Sequence, residues 1–156
     1  MKRNIGILLV LIAILLTACT GTAATQPVVE VVGQKVSVDG GSYTDVSVAE
    51  LQTMLANKDF TFINVHTPFD GNIANTDLSI SYDQIAQNLD KLPADKDARI
   101  VLYCRSGHMS AIAAKTLVGL GYTNVWELSG GMAAWQQAGL SIDLDISECK
   151  YSEDMF

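Results

Sequence analysis

The sequence predicts an α/β fold in which strands pair in parallel and helices cover both faces of the sheet. Between about residues 42 and 146, short apolar runs suited to buried strands alternate with segments whose apolar residues recur at helical spacing. Glycine or proline ends several of these segments. Strands separated by helices favour parallel pairing through right-handed crossovers, which leave helices on both faces.

Three apolar runs predict the buried strands of this domain. They cover residues 60–65, 99–103 and 123–128, and the second carries Ile100-Val101-Leu102. Consecutive apolar residues are typical of strands that are buried on both faces. An earlier valine-rich stretch, 28–38, predicts a short edge strand that Asp39-Gly40-Gly41 ends, and we place it outside the core domain.

Four segments predict helices. Ser47 and Glu50 form a capping box before the first helix, whose apolar positions include Leu51 and Met54. Residues 82–89 have a helical pattern that Pro93 prevents from extending. Residues 110–120 and 132–138 predict two more helices, each followed by glycine.

The first residues predict a signal peptide over 1–18. Lys2 and Arg3 precede an apolar run of 12 residues, 5–16, whereas a helix that crosses a bilayer needs about 18 to 20. Leu16-Thr17-Ala18-Cys19 resembles the lipobox of bacterial lipoproteins, which implies a lipid on Cys19 and a tether over 19–41. An ordinary secretory signal cut nearby is the alternative. Both predict a domain outside the cytoplasm, in the cell envelope.

The net charge of −7 argues against nucleic acid as a partner. Phosphate binding depends on clustered Lys and Arg, and the chain has no basic run. Removal of residues 1–18 takes away two cations and makes the chain more acidic. Attachment to the membrane is therefore expected to come from the lipid rather than from surface charge.

The three cysteines, Cys19, Cys104 and Cys149, have no CxxC spacing. With His66 and His108 as the only imidazoles, they predict no zinc or haem site, and we expect no metal or cofactor. If Cys19 carries lipid, the other two are the remaining thiols. A disulfide between them would silence Cys104 as a nucleophile.

The loop 104–110 lies between the most apolar strand and the alanine-rich helix. Ligands of open α/β sheets bind at the carboxyl ends of the strands, where such loops lie. Backbone N–H groups of a tight loop and the positive end of the following helix both favour the thiolate of Cys104. Gly107 lets the backbone approach a bound anion closely, and Arg105 supplies positive charge.

Three motifs resemble the rhodanese family. Cys104-Arg105-Ser106-Gly107-His108-Met109-Ser110 is similar to the family's Cys-Arg-Ser-Gly-x-x-Ser loop, and Leu128-Ser129-Gly130-Gly131-Met132-Ala133-Ala134-Trp135 is similar to its Leu-x-Gly-Gly-x-x-x-Trp segment. Upstream, Ile63-Asn64-Val65-His66 and Gly71-Asn72-Ile73 stand where the family has Asp-Val-Arg and Gly-His-Ile. The resemblance covers roughly residues 43–142.

This resemblance implies an open, mainly parallel five-stranded sheet over residues 42–146, followed by an acidic tail over 147–156. It also implies sulfur transfer, in which Cys104 attacks the outer sulfur of thiosulfate or a related anion and becomes a persulfide. A thiol, a cyanide-like acceptor or another protein then removes the sulfur. Residues 105–110 of the loop would bind the donor, with His66 as a candidate pocket residue.

Three positions depart from the family pattern. Met109 stands where many relatives have a second arginine, which predicts a weaker grip on anions or a less charged donor. Asn64 and His66 replace an aspartate and an arginine of a polar network beside the site. Activity on thiosulfate is therefore a weaker prediction than the fold.

Other functions are compatible with parts of the pattern. A cysteine-based phosphatase needs arginine six residues after the cysteine, and that residue is Ser110. A silent rhodanese-like module that binds a partner or senses sulfur species fits the changes at Met109, Asn64 and His66. A thiol–disulfide redox function that uses Cys104 and Cys149 is a further alternative, but the chain has no CxxC motif to support it.

Overall fold

The computed structural model describes residues 30–144. The signal peptide, Cys19, residues 20–29 of the tether and the acidic tail with Cys149 lie outside the described residues. Within residues 30–144, six strands and three α-helices follow in this order: β1 (Gln34–Val38), β2 (Gly41–Val46), α1 (Val48–Ala56), β3 (Thr61–Asn64), β4 (Leu78–Ser79), β5 (Ile100–Tyr103), α2 (His108–Gly119), β6 (Val125–Leu128) and α3 (Gly131–Gln137).

The strands form one sheet in the order β1-β2-β6-β5-β3-β4, and all pairs except β1 with β2 are parallel. The α/β class with a mainly parallel sheet is confirmed, but the sheet has six strands rather than five. The valine-rich stretch contributes β1, which pairs with β2 along its full length. Along β1, the half-buried side chains of Val36 and Val38 alternate with exposed polar side chains, as expected of an edge strand. The sheet therefore extends into the segment assigned to the tether.

Helices cover both faces of the sheet, as predicted. On one face, α2 buries Ala113, Ala114 and Leu117. On the other face, α1 and α3 bury a second apolar cluster that includes Leu51 and Trp135. The central strand β5 is buried along its whole length because it lies between these two layers.

The capping box at the start of α1 is present and has a further role. Ser47 Oγ accepts from the backbone N–H of Glu50, while the Glu50 carboxylate accepts from the Ser47 N–H at 2.8 Å. The same carboxylate accepts from the Gly33 N–H at 2.9 Å. These bonds, the one with the Ser47 backbone foremost, lower the pKa of Glu50 to about 2. The cap thus also holds the chain just before β1.

Two helix predictions are corrected by the structure. The segment predicted as a helix over 82–89 forms no α-helix. Two short 3₁₀ turns, Ile85–Gln87 and Leu89–Lys91, lie there instead, and the second extends past the predicted end. In this segment the N–H of Asn88 bonds to the carbonyl of Ile85, three residues back, which is the tighter 3₁₀ pattern. Helix α2 begins at His108, two residues earlier than expected, because Gly107 adopts a left-handed conformation (φ 91°) as its N-cap.

Within residues 30–144, no helix has the length and apolarity needed to span a membrane. The same residues contain no group of three or more His, Cys, Asp or Glu side chains arranged to hold a metal ion.

Candidate active site

Cys104 is the first residue after the central strand β5, and its side chain is buried, with 1% of the residue exposed. The backbone N–H of Gly107 donates a hydrogen bond to the Cys104 sulfur, with 3.1 Å between N and Sγ. Ser110 Oγ, in the first turn of α2, lies 3.5 Å from the same sulfur. The loop therefore folds around Sγ and places the Gly107 N–H and the Ser110 hydroxyl within reach of it.

The loop is held in this shape by the start of α3. The N–H of Met132 donates to the Cys104 carbonyl and the N–H of Ala133 donates to the Arg105 carbonyl, both at 2.9 Å. Gly131 permits this approach: its φ is +56°, and an added Cβ would lie 2.3 Å from the Cys104 carbonyl oxygen. The sequence assigned Gly130-Gly131 to turn geometry. The structure adds that the pair lets α3 clamp the reactive loop.

The Arg105 guanidinium forms an ion pair with Asp70, and both side chains are substantially exposed. Asp70 lies in the segment between β3 and β4 and was not predicted as a site residue. No local signal in the sequence distinguishes it, since it is 35 residues away from its partner. The one cation expected to attract an anionic donor is thus already paired with a carboxylate.

Asn64 holds the segment that carries Asp70 and is itself bonded to the backbone of His66. The Asn64 side chain donates to the Gly71 carbonyl at 2.9 Å and accepts from the His66 N–H at 2.9 Å. Burial, followed by the nearby Arg105 cation, lowers the pKa of His66. His66 is therefore neutral at pH 7. Its Nδ1 is buried and has no hydrogen-bond partner among residues 30–144.

The remaining loop residues divide by exposure. Ser106 and His108 are exposed at the surface of the loop. Met109 is half-buried and packs against the apolar cluster under α2. It therefore contributes packing at the position where many similar loops carry a second positive charge.

Glu127 is a buried carboxyl that sequence reasoning missed. It lies on β6 and is 5% exposed, and Ser110 Oγ is 2.6 Å from its Oε2. Burial is the main cause that raises the pKa of Glu127 to about 8. In the sequence, Glu127 stands out as the one charged residue within the apolar strand 125–128. The strand pattern alone does not show that this residue lies near Cys104.

Comparison with known proteins shows which family the chain belongs to. A model of the rhodanese-like domain matches residues 47–138, more than half of the chain. The chain therefore belongs to the rhodanese-like domain family.

Individual relatives resemble the same region. A sulfurtransferase from Allochromatium vinosum is 33% identical over 94 residues, which cover 58% of this chain and 85% of that protein. A tRNA uridine(34) hydroxylase from Erwinia tasmaniensis is 28% identical over 100 residues, 60% of this chain, and the chain spans only 28% of its length. The crystal structure of a rhodanese-related protein from Thermoplasma volcanium has a TM-score of 0.56 and 27% identity, covering 65% of this chain and 98% of that chain.

The clamp can be tested by Gly131→Ala. We expect the free energy of unfolding to fall by at least about 2 kcal/mol, because the new methyl group would collide with the Cys104 carbonyl in a left-handed conformation. Gly119→Ala is the matched control, since an added Cβ there meets nothing within 4 Å. Urea unfolding of both variants checks this. Equal stability of the two variants would contradict the clamp.

Proposed function

We propose that this chain is a sulfurtransferase that carries sulfane sulfur as a persulfide on Cys104. The observation that carries the proposal is the position of Sγ, which lies inside a loop at the end of the central strand and faces the Gly107 N–H and the Ser110 hydroxyl. Membership of the rhodanese-like family and the similarity to a sulfurtransferase support it.

The reaction proceeds in two displacements. The Cys104 thiolate attacks the outer sulfur of the donor, the new Sγ–S bond forms, and the donor's S–S bond breaks with its electron pair leaving on the departing group. With thiosulfate the departing group is sulfite. A thiol or a cyanide-like acceptor then attacks the outer sulfur of the persulfide, and Cys104 leaves as thiolate. The loop N–H groups stabilise negative charge in both steps.

Persulfide formation tests the proposal directly. The full chain, purified in detergent, is incubated with thiosulfate or with an organic persulfide, whose outer sulfur is terminal, and its intact mass is measured. We expect a gain of one sulfur atom that is abolished by Cys104→Ser and retained in Cys149→Ser. A folded protein that gains no sulfur from any donor would instead be a silent binding or sensing module. Hydrolysis of phosphate esters would contradict the proposal.

The charges around the loop favour a donor less charged than thiosulfate. Arg105 is neutralised by Asp70, and Met109 adds no cation. Since Cys104 is 1% exposed, the donor also has to present a narrow terminal sulfur. An organic persulfide or polysulfide meets both requirements better than a compact dianion.

Asp70→Asn tests this preference. Release of the Arg105 guanidinium should lower the KM for thiosulfate about three- to tenfold, because a freed cation binds the anion with charge-assisted hydrogen bonds. The KM for an organic persulfide, which carries at most one negative charge, should change less. Asp59→Asn is the control, since Asp59 pairs with Arg99 next to the amino end of β5, away from Cys104. An unchanged KM for thiosulfate in Asp70→Asn would contradict this account of donor choice.

We further propose that the enzyme acts outside the cytoplasm, anchored to a membrane by lipid on Cys19. The basic start, the apolar run of 12 residues and the lipobox-like Leu16-Thr17-Ala18-Cys19 support this location. Expression with a labelled fatty acid should label the full chain and leave Cys19→Ser unlabelled. A membrane-bound, labelled Cys19→Ser variant would contradict the anchor.

A further inference from the structure

Glu127 is a buried ionisable group that the proposed sulfur transfer leaves without a role. The register of the sheet pairs it with Asp45 on β2 and with Leu102 on β5. Because side chains alternate along a strand, Leu102 and Cys104 point to the same face of the sheet. Glu127 therefore lies under the reactive loop, and one of its oxygens is 3.7 Å from the position of a Cβ added to Gly107.

Ser110 lies between this carboxyl and the reactive sulfur. Its Oγ is 2.6 Å from Glu127 Oε2 and 3.5 Å from Cys104 Sγ, and the residue has no exposed surface. The Gly107 carbonyl oxygen, 3.1 Å from the same Oγ, is a further acceptor, and rotation of the hydroxyl lets its hydrogen leave this oxygen for Glu127 or Cys104. A serine hydroxyl has one hydrogen to donate and two lone pairs that accept. It can therefore accept from one neighbour while it donates to the other, in either direction.

We propose that Glu127 shares one proton with Cys104 through the hydroxyl of Ser110. When Cys104 ionises, its S–H proton passes to Ser110 Oγ, and the former hydroxyl proton of Ser110 passes to Glu127 Oε2. The products are a Cys104 thiolate that accepts from Ser110 and a neutral Glu127 carboxylic acid that donates to Ser110. No proton is lost to solvent in this exchange, and Glu127 acts on sulfur without touching it.

The surroundings of Glu127 favour its role as the proton acceptor. The titratable groups that face it are Tyr43 and Asp45 on β2 and Cys104 beyond Ser110. Burial is the main cause that raises the pKa of Glu127; the hydrogen bond with Ser110 lowers it, while the negative charge of Asp45 and a hydrogen bond with that carboxyl raise it. Burial raises the pKa of Asp45, and the hydrogen bond with Glu127 lowers it. No salt bridge to Glu127 occurs in the described part of the chain. A proton on Glu127 thus relieves repulsion within the site.

This inference rests on the proposed role of Cys104, but its test requires no sulfur transfer. In the full chain in detergent, the alkylation of Cys104 by iodoacetamide is followed by peptide mass spectrometry from about pH 5 to pH 10. Two groups that share a proton titrate in two coupled steps. We therefore expect two ionisations in the wild-type rate profile.

Glu127→Gln should reduce the profile to a single ionisation. Glutamine retains the shape and a hydrogen-bond donor but never becomes negative, so the thiolate should form in one step, at lower pH than the upper wild-type ionisation. Ser110→Ala should narrow the gap between the two ionisations, because only the direct repulsion of the charges remains. Asp59→Asn, remote from the loop, should reproduce the wild-type profile.

A single ionisation in the wild type, or two ionisations that persist in a folded Glu127→Gln variant, would overturn the inference. If Glu127→Gln does not fold, Asp45→Asn decides. Removal of the negative charge of Asp45 lowers the pKa of Glu127, so the lower of the two ionisations in the alkylation profile should move to lower pH. An unchanged profile in Asp45→Asn would overturn the shared proton. Loss of sulfur transfer with the coupled profile intact would instead count against the proposed function alone.

Discussion

The reactive site depends on two backbone hydrogen bonds, from the start of α3 to the carbonyls of Cys104 and Arg105. They join the β6-α3 unit to the loop that follows β5, so the loop is fixed by an element outside its own strand and helix. With the carbonyls held, the Gly107 N–H is turned toward Sγ. Any residue with a side chain at Gly131 would occupy the space of the Cys104 carbonyl, which ties the double glycine to the chemistry.

The electrostatics of the site come from a few groups in an acidic protein. The Gly107 N–H donates to the Cys104 sulfur, while the cation of Arg105 is offset by Asp70. On the other side of the sulfur, Glu127 is a carboxyl whose burial favours the neutral acid. A second full negative charge would be costly there. Both features favour chemistry that moves one sulfur and one proton without accumulating charge.

Local patterns in the sequence were sufficient for β1, β3, β5 and β6, for the capping box and for Cys104 with its loop, whereas β2 was not predicted. Each is encoded by adjacent residues: an apolar run, Ser47 with Glu50, or a cysteine followed by a glycine-containing turn. The two-residue strand β4 is too short to leave a pattern. Residues 82–89 have helical spacing, but tertiary packing gives them 3₁₀ turns.

Asp70 and Glu127 could not be predicted, because their roles depend on contacts across the fold. Asp70 meets Arg105 through the segment between β3 and β4, and Glu127 meets Ser110 through the pairing of β5 with β6. Edge strand β1 was recognised as a strand but placed outside the domain, since pairing with β2 depends on a register that single-strand alternation does not specify.

The central claim is that Cys104 holds the sulfur between donor and acceptor. The most direct measurement loads the full chain with donor, removes the donor by gel filtration, and then adds cyanide. We expect a burst of thiocyanate equal in amount to the protein, and none from Cys104→Ser. Thiocyanate that forms only while the donor is present, with no burst from the loaded protein, would contradict a sulfur-carrying cysteine.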